Sequence, residues 1–166
     1  GILVVEVGQH FGVDYCTKLL SDNGAEVVKI EPPGGDPVRW LPPFAKDTPG
    51  VETSGIFQHI NSGKKSVVLD LGTRKGQDSF KSIASRADVI VDGFSSAAPE
   101  RGVLGLSNGS QGRGRTIRAS ITLCGLSGPY AGLVGGELSA LALGGYMYVH
   151  GEPGREPIML AGHQAN

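Results

Sequence analysis

A chain of 166 residues has the size of one domain and can bury roughly two-thirds of its unfolded surface, so a single core is expected. Its 15 basic and 16 acidic side chains nearly cancel without runs of like charge, which removes the electrostatic case for nucleic acid or an anionic membrane as partner. Cys16 and Cys124 are too few and too far apart for a disulfide framework or a zinc cluster, a pattern that fits a reducing, cytoplasmic setting.

In chain order, Gly1 to Val7 is too short to span a bilayer and has no basic flank, so it reads as a strand. Ile2 to Val7 is a nearly continuous β-branched run, the pattern of a strand covered on both faces, and Gly8 to Gly12 then makes a turn. A helix follows, with Cys16, Leu19 and Leu20 as an apolar stripe, Asp14 in its first turn and Gly24 as its stop. Ala25 to Ile30 is the second strand. The proline-rich stretch from Pro32 to Gly55, which contains Trp40, is predicted to be a long excursion without regular structure that covers a ligand. Ser66 to Leu71 gives a third strand. Thr73 caps a helix whose inner face is Phe80, Ile83, Ala84 and Ala87, and Val89 to Val91 is the fourth strand. Ser95 to Gly114 is small and polar, Thr116 to Leu123 alternates as a fifth strand, and Glu137 to Tyr148 reads as one helix.

Strands alternating with helices at this spacing imply an α/β fold, a parallel sheet with helices on its faces that binds ligands beyond the carboxyl ends of its strands. Gly8 to Gly12, Gly72, Gly93 to Arg101 and Cys124 to Tyr130 then share one rim. The glycines show no G-x-G-x-x-G spacing after the first strand, which disfavours NAD or a flavin. His59, His150 and His163 lack partners at metal-ligand spacing, so no metal is assigned.

Several strings are recognisable as they stand: Cys16 to Leu20, Asn23 to Pro37, Asn61 to Leu71, Arg86 to Val91 with Phe94, Ser120 to Thr122 with Gly125, Ser127 to Tyr130, and Gly162 to Ala165. In this order they resemble the class III CoA-transferases, the formyl-CoA transferase-like family. The resemblance implies that residues 1–166 are the N-terminal part of a Rossmann-like, CoA-binding large domain, with the smaller second domain absent from this chain. It implies an interlocked homodimer at full length. It also implies transfer of CoA from an acyl-CoA to a small carboxylic acid through an enzyme aspartyl-CoA thioester, with coenzyme A as substrate and no metal, NAD or flavin.

Carried over residue by residue, the family string Gly-His-Gln-Ala is Gly162 to Ala165, and Asn166 stands where many relatives have the nucleophilic aspartate. Glu137 aligns with an acidic residue near the active site, or else is a helix N-terminal charge. Gln9, His10, Phe11 and Gly12 match the loop that meets the pantetheine and thioester; Phe11 replaces the glutamine of some relatives, and His10 reads first as a structural, hydrogen-bonded residue. Leu69 to Gly72 falls where relatives hold the adenine, and Gly93 and Phe94 where they line the CoA channel. Arg101 matches the arginine that meets the nucleotide phosphates, and Arg39 substitutes for another whose place Pro32 and Pro33 occupy. The α-methylacyl-CoA racemases of the same superfamily are a weaker match, because their catalytic histidine falls at Gly136, which cannot exchange a proton. An acyl-CoA-binding chain without turnover is the alternative that Asn166 motivates.

Overall fold

The apolar runs Leu3–Val7 (β1), Glu26–Glu31 (β2), Lys65–Val68 (β3), Val89–Asp92 (β4) and Ile117–Ser120 (β5) pair as one parallel sheet in the order β3-β2-β1-β4-β5. This is a computed structural model, and it describes residues 1–107, 116–160 and 162. The helices are α1 (Phe11–Asp22), α2 (Gly55–Asn61), α3 (Arg74–Ala84), α4 (Pro99–Val103), α5 (Glu137–Leu143) and α6 (Tyr146–Val149). The chain winds outward from β1 to β3 and returns across β1 to β4, so the winding direction reverses between β1 and β4. A crevice opens at such a switch point.

Strand alternation sorts the side chains into two layers. On one face Val5, Val7, Ile30 and Ile90 meet Phe80 of α3 together with Ala87, Leu104 and Leu106. On the other, Val4, Val27 and Val91 pack on Val13 of α1. The α/β parallel sheet with helices on both faces, expected from the sequence, is therefore the observed fold.

The local signals explain most boundaries. His10 caps α1, its Nδ1 accepting the Gly12 N–H at 3.2 Å, and Gly24 takes φ +91° just beyond the helix end. Thr73 caps α3 by accepting the Gly76 N–H at 3.1 Å. Gly76 is required there, since a Cβ would lie 1.9 Å from the Asp70 carbonyl oxygen.

Four local expectations need correction. The Pro32–Gly55 excursion holds two short 3-10 turns, Pro37–Trp40 and Ala45–Asp47, and ends where α2 begins; Ser54 organises it by capping α2 and donating to the Leu41 carbonyl at 2.6 Å. Its Val38 forms a third small core with Phe57 and Ile60 of α2, with Leu41 packed against it, so the segment is packed rather than open. Ser95–Gly114 contains α4, and the predicted Glu137–Tyr148 helix is two, divided at Gly144 and Gly145, where Gly145 has φ +76°. Leu19 is exposed, because the buried side of α1 is Val13, Asp14 and Thr17.

Candidate functional site

Two glycines create the crevice. A Cβ on Gly8, at φ +101°, would sit 2.9 Å from the Gly93 nitrogen, and one on Gly93 would sit 2.7 Å from the His10 Cβ. The turns that leave β1 and β4 therefore pass backbone against backbone. Beyond them lies a cavity of about 540 Å³, walled by the ends of all five strands: Gln9 and His10, Ile30 to Pro33, Leu69 to Gly72, Gly93 to Ser95, and Thr122 to Cys124. Leu133, Val134 and Gly135 close one side. The volume suits a ligand the size of a cofactor fragment.

The sequence-derived candidates separate into two groups. Gln9, His10, Leu69, Gly72, Gly93 and Phe94 line this cavity together. Phe11 and Gly12 do not line it: they form the first turn of α1, with Phe11 packed on the Val38–Phe57–Ile60 core. Glu137 opens α5, also outside the lining. Asn166 and His163 lie outside the described residues. Burial pushes the His10 imidazole below its ordinary pKa, and its Nδ1 is the acceptor in the cap.

Both arginines expected to bind the cofactor have partners within the chain. Arg101 is buried, with Nη1 donating to Asp92 Oδ1 at 2.6 Å and to the Phe94 carbonyl at 3.1 Å, and Nη2 donating to the Leu106 carbonyl at 2.8 Å. Arg39 makes a two-point pair with Glu31 through Nε and Nη2, each at 2.7 Å, and stacks on Phe57 with 3.7 Å from its guanidinium carbon to the ring centre. Burial alone would raise the Glu31 carboxyl, yet Arg39, the Ser66 hydroxyl and the Asp36 N–H bring it to about 2. Glu31 still borders the cavity, joined there by Asp70 and Glu100; among the described residues no lysine or arginine lines it.

Behind the cavity is a buried charged cluster that sequence reasoning missed. Glu6 of β1, Lys29 of β2 and Asp14 of α1 meet on the face that carries Val4 and Val27 nearer the strand starts. The Lys29 ammonium lies 2.5 Å from Glu6, 2.6 Å from Asp14 and 2.7 Å from Asp36. Lys64 lies 2.8 Å from Glu6 and donates to Asn61 Oδ1 at 2.8 Å, and the Thr17 hydroxyl donates to Glu6. Two ammonium groups thus face three carboxyls. Burial, reinforced by Glu6 and Asp36 against the opposing pull of Lys29, pushes Asp14 up to about 8, whereas Lys29, Lys64 and a hydrogen bond from Asp14 overcome burial and hold Glu6 near 2. The signal available in the sequence was Glu6 and Lys29 interrupting otherwise apolar strands at the same face parity.

Among the described residues no helix is long and apolar enough to cross a membrane, and no group of three His, Cys, Asp or Glu residues could hold a metal ion. The Thr122 hydroxyl, in the cavity wall, is buried there without a hydrogen-bond partner among the described residues.

A family model described as CoA-transferase family III matches residues 1–164. A succinyl-CoA:mesaconate CoA-transferase from Haloarcula hispanica is 38% identical over 160 residues, covering 93% of this chain and 40% of that one. A human succinyl-CoA:glutarate CoA-transferase is 30% identical, over 95% of this chain and 35% of its own. Among solved structures, a CAIB/BAIF family protein from Brucella suis superposes with TM-score 0.86 at 32% identity, over 98% of this chain and 43% of that chain. The chain spans about two-fifths of the length of the curated relatives named here.

Proposed function

Because this chain belongs to CoA-transferase family III, we propose that it forms the acyl-CoA-binding part of an enzyme that moves CoA from an acyl-CoA thioester to a carboxylic acid. The observation that carries the reading is the glycine-walled cavity at the β1–β4 switch point, where Leu69 to Gly72 and Gly93 to Phe94, the segments aligned with adenine and channel contacts, line one space. An adenine would lie against Leu69 to Gly72, and a pantetheine arm would run past Gly93 toward Gln9 and His10. Gly8 and Gly93 let the two turns pack against each other, so the wall there carries no side chain of its own.

The transfer route that the family resemblance supplies needs an aspartate. Its carboxylate attacks the donor's thioester carbonyl and expels CoA thiolate, which attacks the aspartyl carbonyl of the resulting anhydride to give aspartyl-CoA and free acid. The acceptor carboxylate attacks that thioester, and the released thiolate takes the acceptor's acyl group while the aspartate is regenerated. Residue 166 holds the nucleophile's place in this alignment and is asparagine, whose neutral carboxamide lacks the attacking anion. That residue favours a second reading, a chain that binds acyl-CoA without transfer. By the family resemblance the enzyme is a homodimer.

The test is calorimetric titration of the full-length protein with CoA and succinyl-CoA, followed by an assay of thioester formation on small dicarboxylic acids. Saturable binding is expected, and its absence overturns the proposal. Replacing Asn166→Asp is expected to raise transfer by orders of magnitude if residue 166 holds the nucleophile's place, whereas transfer that is already fast with asparagine there, and indifferent to the change, refutes that assignment.

A further inference from the structure

Glu31 borders a second cavity, of about 280 Å³, as well as the large one. Arg39 lines only this second space, together with Glu52, Gln58, Lys65 and Ser66. Its guanidinium is held on one edge and offered on the other. Nε and Nη2 take the two Glu31 oxygens at 2.7 Å each, and the Phe57 ring lies 3.7 Å from the guanidinium carbon. Gly35 makes room for the arginine's stem, since a Cβ there would lie 2.8 Å from Arg39 Cδ. At the opposite edge Nη1 donates to the Val51 carbonyl and to Glu52 Oε1, each at 2.9 Å. The Glu31 side chain is 1% exposed and that of Glu52 78%, so the first pair belongs to the fold while the second is a surface ion pair that contributes little to it. Lys65, 69% exposed and paired with Glu26 at 2.6 Å, brings a second cation to the same cavity. Lys29 and Lys64 also reach the lining, but their ammonium groups are taken by the buried cluster.

We propose that this second cavity binds a small carboxylic acid, whose carboxylate takes the place of Glu52 on Arg39 Nη1 and pairs with the Lys65 ammonium. Glu52 is then an internal competitor that holds the arginine when no acid is bound. Exchanging one solvent-exposed carboxylate for another leaves the buried Arg39–Glu31 pair intact, so no buried charge is stranded. The guanidinium is already fixed by Glu31 and Phe57, so little freedom is lost in ordering it for a ligand. The volume admits an acid of a few carbons and is too small for a nucleotide. This site stands apart from the acyl-CoA reading of the large cavity and does not depend on it.

The test exploits the opposite roles given to the two exposed residues. In the full-length protein, acetate and succinate are titrated calorimetrically into wild type, Glu52→Gln and Lys65→Gln, with thermal melts confirming that each variant is folded. Saturable binding of at least one acid is expected. It should be about two- to fivefold tighter in Glu52→Gln, where the competing carboxylate is gone, and weaker by a similar factor in Lys65→Gln. The same Kd in all three proteins places the acid elsewhere and overturns the proposal. Weaker binding in Glu52→Gln overturns it as well, because Glu52 would then support the site instead of competing for it. Absence of binding of either acid at millimolar concentrations, in wild type and in Glu52→Gln alike, leaves Arg39 as a purely structural link between β2 and the Val51–Glu52 loop.

Discussion

The cavity and the charged cluster adjoin along β1 and β2, and they use polar atoms in opposite ways. In the cluster, Lys29 and Lys64 contact Glu6, Asp14, Asp36 and Asn61, so its charged groups are met by one another. In the cavity, the turns at Gly8 and Gly93 present main chain, and among the described residues the Thr122 hydroxyl has no partner. The difference teaches where binding can occur in this fold: at strand ends beside glycine turns that leave space open, with the cluster behind them setting where α1 and its capping residue His10 lie. Glu31 stands at the boundary, bordering the cavity while its carboxylate is held by Arg39.

If that division of labour is right, damage to the cluster lowers stability and spares affinity. Lys29→Met removes the one cation shared by Glu6, Asp14 and Asp36 and leaves buried carboxyls facing each other. A loss of about 3–5 kcal/mol is expected in denaturant unfolding, with the Kd for CoA of the remaining folded protein unchanged. A folded Lys29→Met protein that binds CoA tenfold more weakly would break the comparison. The next largest effect comes from the other side. Gly93→Ala places a methyl 2.7 Å from the His10 Cβ and 3.1 Å from Val13 Cγ2, so about 1–3 kcal/mol of stability is lost to overpacking. Because the wall itself moves, CoA affinity falls as well, and a variant with normal affinity would show that the turn does not touch the ligand.

How much of this was legible in the sequence follows from the range of the forces involved. β1, β2, β4, α1 and α3 could be read because β-branched runs, the cap at Thr73 and the stop at Gly24 are local signals. The parallel sheet followed from alternation, and the rim from the strand ends. α2 and α4 are short, five to seven residues, and rest on tertiary packing of Phe57, Ile60 and Leu104 that no window along the chain contains. The partners of Arg101 and Arg39 were equally hidden. An arginine that binds phosphate and one that clamps a carboxylate look alike in sequence, and only the fold brings Asp92 and Glu31 within 2.7 Å of them. Asp14 suited a helix first turn by position, but its burial against Lys29 comes from a strand fifteen residues away.

A gentler probe of the cluster uses pH. Asp14 is raised from 3.8 to about 8, so the folded state holds a proton that the unfolded chain has released, and the stabilisation present at low pH is lost as pH climbs from about 4 toward 8. Glu6, lowered from 4.5 to about 2, acts in the reverse sense and only below 4.5, while the lowered His10 opposes Asp14 up to its ordinary value of 6.5. Asp14→Asn retains a neutral group and abolishes this titration. The difference in unfolding free energy between variant and wild type is expected to change between pH 5 and 8 with a slope of at most about 1.4 kcal/mol per pH unit, the one-proton limit. Parallel profiles would mean that Asp14 is ionised beside Lys29 across that range.

The smallest expected effect tests the cavity's unfilled position. Thr122 Oγ1 is buried in the wall with no partner among the described residues, a state that costs the protein free energy unless a ligand group or water meets it. Thr122→Val keeps the shape and deletes the hydroxyl. Without ligand, the variant is expected to be as stable as wild type or slightly more so, since an unsatisfied polar atom has become a methyl. With CoA, affinity is expected to fall by about 1 kcal/mol, several-fold in Kd, if the hydroxyl bonds the ligand. Lower stability together with unchanged affinity would mean that the hydroxyl serves the fold, and the cavity would then resemble the cluster in having its polar atoms already occupied.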